Sequence, residues 1–166
     1  MSSSPISIRT VQSKQSLNDF LKVPWSVYKS DDLWVPPLNF ERKLALSPTQ
    51  GIFKHLEWKG WVAYQNDQPV GRISAQIDQL YLEHKDSKTG FFGFLEAQND
   101  LNIFRPLFES AESWLKQKNM SRVVGPFSLN VNQEAGNLIE GFDSEPYFMT
   151  PNGLRYYGAQ IENCGY

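Results

Sequence analysis

The chain has 166 residues, with 16 basic and 18 acidic side chains and a formal charge of −2, so no strong field of either sign marks it for nucleic acid or an anionic membrane. At 40% hydrophobic and 14% aromatic it has material for one core, and folding would bury roughly 70% of the unfolded surface, which reads as a single domain over residues 1–166. Its one cysteine, Cys164, rules out an internal disulfide, and with His55 and His84 in unrelated segments no metal site is expected. The start MSSSPISIRT lacks a charged-then-apolar leader layout, and no apolar run nears the ~18 residues of a bilayer span. The expectation is a cytoplasmic protein with neither membrane nor nucleic acid as partner.

ISIRTV alternates apolar and polar with β-branched residues, which predicts a strand over residues 6–11. Ser16 then opens a helix with Leu17, Phe20, Leu21, Trp25 and Tyr28 at helical spacing, and Pro24 is expected in the first turn of a second piece, giving a kinked helix pair. DDLWVPPLNFERK is extended around Pro36 and Pro37, because each proline fixes its own φ and biases the preceding residue away from helix. It reads as a rigid connector or, through residues 34–38, as a peptide-docking edge. GWVAYQNDQPVGRISAQID predicts an antiparallel hairpin, residues 61–64 and 70–77 around a turn at 65–68.

After the polar loop EHKDSK, residues 89–97 are apolar on both faces, as expected of a central strand covered on both sides. The glycines of GFFGF mark a bulge or close helix packing rather than a nucleotide loop. Phe104, Leu107, Phe108, Ala111 and Leu115 form one helical stripe, and SRVVGPFS is the next strand. In SLNVNQE, period two puts Ser128, Asn130, Asn132 and Glu134 on one face and Leu129 and Val131 on the other, a row that suits a substrate cleft or a solvent face. Leu154, Tyr157 and Ile161 lie about a turn apart and predict a last helix ending near Gly165.

This order of elements is similar to the α/β fold of the GCN5-related N-acetyltransferases, a mixed sheet flanked by helices, which moves acyl groups from acyl-CoA to amines. WVPPL, PVGRISAQID, TGFFGFLEA, RVVGPFSLNVNQEAG and GFDSEPYFMTPN resemble the N-terminal part of a bacterial group of relatives of that fold, the YghO-like proteins, over residues 16–166. The resemblance implies acetyl-CoA or a longer acyl-CoA as co-substrate, a small-molecule or amine acceptor, and no metal. Members of the group are longer, and the family's last helix precedes two more strands. The expectation is therefore a domain incomplete at its C-terminus, with a C-terminal domain as partner.

The same resemblance assigns roles. Glu96, at the end of the strand, stands where the family carries its base, although an exposed strand-end carboxylate gives the same pattern; Glu134 is a second carboxylate candidate. Tyr157, with Tyr156 beside it, resembles the tyrosine that protonates the leaving thiolate, displaced by one turn relative to Gly165. Leu95, Ala97, Gln98 and Ser128 are expected against the acyl-CoA, and Asn130 and Asn132 against the acceptor. The family grips the pyrophosphate with small residues at the start of the helix, where backbone N–H groups and the helix dipole face the phosphates. Here QNDLNIF puts Leu101 and Ile103 in those places, Asp100 adds a negative charge or an N-cap, and Pro106 lies in or near the first turn. A weak phosphate grip follows, and with it a rival reading as a non-catalytic scaffold or substrate-binding half of a longer protein.

Overall fold

The computed structural model describes residues 4–130, 132–147, 150 and 152–166. Five strands build one mixed sheet in the order β1 Ile6–Thr10, β2 Leu56–Gln65, β3 Gln68–Asp78, β4 Thr89–Ala97 and β5 Arg122–Val124. Neighbours are antiparallel except β5, which runs parallel to β4 over Thr89↔Arg122 to Phe91↔Val124. The helices are α1 Lys14–Val27, α2 Asn39–Ala45, α3 Gln79–His84, α4 Leu101–Gln117 and α5 Tyr157–Glu162. The β2–β3 turn is tight because Asn66 and Asp67 both take positive φ, 51° and 56°, the backbone twist that hairpins of two-residue loops require.

Two apolar layers cover the sheet. On one face α4 packs Ile103, Phe104, Leu107, Phe108, Ala111 and Leu115 over Ile73, Ala75, Phe92 and Leu95. On the other, α1 packs Phe20, Leu21 and Val23 over Val62, Tyr64 and Phe94. Gly90 lets α4 approach, since a Cβ there would lie 2.4 Å from a Leu115 methyl. Gly93 has a Cβ position 1.7 Å from the Phe127 carbonyl oxygen, so only glycine admits the chain that follows β5.

Several expectations need correction. α1 is one helix rather than a kinked pair: Ser13, not Ser16, caps it, through a reciprocal Ser13–Ser16 box, and Pro24 sits inside. Proline there leaves the Phe20 carbonyl without its i+4 donor, and the buried Arg72 supplies one, Nη1 to O at 3.1 Å. The proline segment is extended only to Leu38, after which α2 begins, and α3 takes up part of the expected polar loop. β3, not β4, is the middle strand, although eight of the nine β4 residues are buried. β5 stops at Val124, and the described residues of SLNVNQE belong to no strand; one isolated bridge, Phe127↔Ala135, flanks them. The period-two row over Asn130 and Asn132 is instead a local turn, in which the Asn132 N–H donates to Asn130 Oδ1 at 2.8 Å. Val131, and Phe148, Met149 and Pro151 of GFDSEPYFMTPN, lie outside the described residues. The last helix begins at Tyr157 rather than at Leu154, while Pro106 falls in the second turn of α4, next to the first.

Candidate active site

The site is set by a bulge. Between Gly93 and Glu96 the β3–β4 register slips, and Phe94 takes φ 48°, a left-handed conformation unusual for a bulky residue. Upstream, Phe92 faces α4; downstream of the extra residue, Phe94 faces α1 while Leu95 and Ala97 return to the α4 layer. Glu96 is thereby turned toward α1. There its Oε2 accepts hydrogen bonds from the Tyr28 hydroxyl at 2.7 Å and the Tyr157 hydroxyl at 2.5 Å. Arg72, its cross-strand partner, brings Nη2 to 4.0 Å from Oε1. The guanidinium is itself held between rings, 5.0 Å from the Phe20 centroid and 5.5 Å from that of Phe94.

Electrostatics follow from this burial. Loss of water raises the Glu96 carboxyl above its ordinary value, and Arg72 and the two tyrosines offset only part of that rise. Tyr157 is pushed well above the usual phenol range, first by burial and then by the adjacent Glu96 charge. Tyr28 moves the same way for the same causes. The carboxyl is thus a stronger base than a surface glutamate, and it is joined directly to a phenolic proton.

Two cavities meet at Glu96. A small recess of about 40 Å³ opens between the β4 end and the loop after β5, lined by Phe94, Leu95, Pro126, Ser128 and Tyr157. A groove of about 620 Å³ adjoins it, walled by Leu21, Pro24, Trp34, Val35, Leu38 and Tyr147. Arg72, Glu96, Glu134 and Asn152 line both. Among the described residues, Arg72 Nε and Asn152 Nδ2 are buried with no hydrogen-bond partner. Trp34 is stacked on Tyr28, 5.2 Å between centroids at 14°, and meets Trp25 edge-on.

The expected residues divide accordingly. Glu96 and Tyr157 come together, with Leu95 and Ser128 beside them. Ser128 is buried, and its Oγ accepts from the Phe94 N–H at 3.4 Å. Glu134 lines both cavities but is ion-paired with Arg42. Ala97 turns into the α4 layer, its N–H meeting the Tyr157 hydroxyl at 3.3 Å and its carbonyl taking the Tyr156 hydroxyl at 2.7 Å. Gln98 spends its N–H on Val70 of β3. Asn130 and Asn132 are bound in their own turn and line neither cavity. Tyr28 and Arg72 are site residues that the sequence reading left in the core and in a hairpin. An arginine inside the alternating VGRISA strand was the available signal, because a charge at an inward position needs a partner.

At the start of α4 the chain caps its own helix N-terminus. Asp100 caps the helix, its Oδ1 accepting from the Asn102 N–H at 2.8 Å. The Ile103 and Phe104 N–H groups turn back to the Asp100 carbonyl at 2.9 and 3.2 Å. Ile103 is buried against the position where a Gly71 Cβ would be, 2.8 Å from its methyl. Among the described residues no cluster of His, Cys, Asp and Glu could hold a metal ion, and no helix is long and apolar enough to cross a membrane.

No family model matches the chain. It is 46% identical over 159 residues to Protein YghO of Escherichia coli (strain K12), covering 96% of this chain and 41% of that protein. It is 37% identical over 163 residues to Bacterial ceramide synthase of Caulobacter vibrioides, covering 97% and 42%. The chain thus spans about two fifths of the length of the curated relatives it matches. Among solved structures, a tandem GNAT protein from the clavulanic acid biosynthesis pathway superposes with a TM-score of 0.61 at 13% identity, over 96% of this chain and 43% of that one. An aminoglycoside N-acetyltransferase in complex with CoA superposes at 0.51 and 16% identity, over 76% and 80%.

Proposed function

From a chain that has the GCN5-related N-acetyltransferase fold and is YghO-like over nearly its whole length, we infer an acyltransferase that moves an acyl group from acyl-CoA to an amine, with residues 1–166 as one acyltransferase-like domain. The observation that carries this reading is the Glu96 carboxyl, half-buried at the bulged end of β4, bonded to two tyrosines and facing both cavities. The neighbour solved with CoA and the relative that is a ceramide synthase support the same chemistry, since a ceramide is an N-acylated amine.

In the proposed reaction the amine nitrogen attacks the thioester carbon and Glu96 takes a proton from that nitrogen. The C–S bond then breaks and the thiolate needs a proton. Tyr157 alone holds its proton too tightly to be a good acid. Once Glu96 is protonated, Tyr157 can pass its proton to the sulfur and recover one from the carboxyl across their 2.5 Å hydrogen bond. The proton lost by the amine thus ends on CoA. Donor binding rests in this proposal on the pantetheine and acyl portions near Leu95 and Ser128, because Asp100 occupies the helix N-terminus.

That same cap favours the second reading, a non-catalytic half in a protein as long as these relatives. The test is thiol release from acetyl-CoA and a long-chain acyl-CoA with a panel of amines, comparing the wild type with Glu96→Gln. The proposal expects amine-dependent release that falls at least about 100-fold in the variant, in line with the ordinary contribution of a general base. Release unaffected by the substitution would remove Glu96 from the mechanism. No release and no binding of either thioester would favour the scaffold.

A further inference from the structure

Glu96 stands where the recess and the groove join, and two N–H groups beside that junction are left over. Among the described residues, Asn152 Nδ2 and Arg72 Nε are buried and donate to nothing, and both side chains line both cavities. A buried N–H without an acceptor is costly and rare, so two of them around one carboxyl point to a missing partner. The rest of the Arg72 guanidinium is committed. Its Nη1 donates to the Phe20 carbonyl at 3.1 Å, its Nη2 lies 4.0 Å from Glu96 Oε1, and the group is held between the rings of Phe20 and Phe94. Its orientation is thereby fixed, with Nε as the donor to spare. Both spare groups are donors, so what completes them is an oxygen and not an ammonium. Backbone donors nearby are already used, the Phe94 N–H on Ser128 Oγ at 3.4 Å and the Ala97 N–H on the Tyr157 hydroxyl at 3.3 Å.

We propose that Asn152 Nδ2 and Arg72 Nε bind the carbonyl oxygen of the thioester and hold it through the tetrahedral intermediate of acyl transfer. The inference rests on the acyl-transfer reading and adds two catalytic residues to it. As the amine nitrogen bonds to the thioester carbon, the C=O π pair moves onto the oxygen and Glu96 takes the proton from the nitrogen. When the C–S bond breaks, that pair re-forms the carbonyl and the sulfur takes the Tyr157 proton. The movement of charge suits the arrangement. Before attack the negative charge is on Glu96; in the intermediate Glu96 is neutral and the charge is on the oxygen. Arg72 borders both positions, so one cation faces the charge before and after without moving, and donors already fixed in place are those that lower a barrier most. Of the other carboxylates, Glu134 lines both cavities but is paired with Arg42, and Glu41 lines the groove only.

The experiment compares two unreactive acyl-CoA analogues by calorimetric titration of the full chain. One is a ketone, with CH2 in place of the thioester sulfur and the carbonyl kept; the other is a thioether, with CH2 in place of the carbonyl. The wild type should prefer the ketone by about three- to tenfold, as one ordinary hydrogen bond allows. Asn152→Leu keeps the size of the side chain and removes the donor. It should remove most of that preference, leave the thioether's affinity unchanged and lower amine-dependent thiol release about 100- to 1,000-fold, the usual effect of losing one such donor. Because Nδ2 has no partner among the described residues, the variant should melt no lower than the wild type, whereas loss of a structural asparagine would lower the melting temperature. Arg72→Lys, which keeps the cation and removes Nε, should lose the preference as well. A wild type without ketone preference, or a preference that Asn152→Leu leaves intact, would overturn the proposal. So would a variant that binds both analogues equally worse, since the side chain would then only shape the cavity. Ketone preference that depends on Asn152, without thiol release, would support this inference while sinking the acyl-transfer reading. Thiol release that needs Glu96 and not Asn152 would do the reverse.

Discussion

Phe94 offers a test of both the core and the bulge. Its ring is 5% exposed, lies 5.7 Å from Phe20 and carries the Arg72 guanidinium at 5.5 Å. Phe94→Ala removes the ring from a site where α1 and the sheet are both fixed, so transfer and cavity costs together predict a loss of about 3–5 kcal/mol. Backbone strain adds a second, independent prediction. At an ordinary strand position glycine is about 0.5–1 kcal/mol worse than alanine. At φ 48° the order reverses, because a left-handed conformation costs a residue with a Cβ about 1–2 kcal/mol and glycine almost nothing. Phe94→Gly should therefore be at least as stable as Phe94→Ala, and up to ~1 kcal/mol more so. Urea unfolding followed by circular dichroism on the three proteins measures both differences. An alanine loss under about 1 kcal/mol would deny the ring its place in the core. A glycine variant clearly less stable than the alanine one would mean that the bulge is not formed as described.

The Glu96 carboxyl is raised above its ordinary value of 4.5 by burial, so the stability linked to it is fully present below pH ~4.5 and is lost as pH rises through the folded value. Glu96→Gln removes that dependence, and thermal melts between pH 4 and 8 should show the variant gaining on the wild type as pH rises; a gap constant with pH would contradict the shift. The same shift should move the acidic limb of the amine-dependent rate above the usual carboxylate range, a limb absent in the variant. Replacing acyl-CoA by acyl-pantetheine should change affinity by less than about tenfold, or 1.4 kcal/mol, and a hundredfold loss would show that the nucleotide end is gripped despite Asp100. Gly93→Ala would set a Cβ 1.7 Å from the Phe127 carbonyl oxygen and should cost about 1–3 kcal/mol or more, whereas Gly51→Ala, with nothing within 4 Å, should change denaturant midpoints little.

Much of the scaffold was legible because its signals are local. The β2–β3 hairpin, β4 and the α4 stripe follow from alternation, from the turn at Asn66 and Asp67, and from helical spacing. What escaped depends on distant groups. Pro24 reads as a helix break until Arg72, 48 positions later in the chain, is seen to satisfy the Phe20 carbonyl that proline strands. Phenylalanine gives no hint of positive φ, so the bulge in β4 was expected at a glycine rather than at Phe94. SLNVNQE shows how a polar residue at every second position imitates a strand while serving an asparagine turn. Glu96 could be picked out by resemblance, but Tyr28 could not, since a tyrosine on an apolar helix stripe looks like core until its hydroxyl is placed.

The extra residue at the bulge also makes the site a matter of odd and even. Strand side chains alternate, so a shift by one position exchanges the two faces. Deleting one residue between Phe92 and Glu96 would send the carboxylate under Phe104 and Leu107 and turn an apolar neighbour toward Tyr28 and Arg72. A chain altered in that way would have to bury an ionised group in hydrocarbon or unpair the end of β4, and either outcome abolishes the site without touching any residue that lines it. Length changes in this stretch can thus be survived only in pairs, and drift in strand length is constrained here by parity as strictly as by composition.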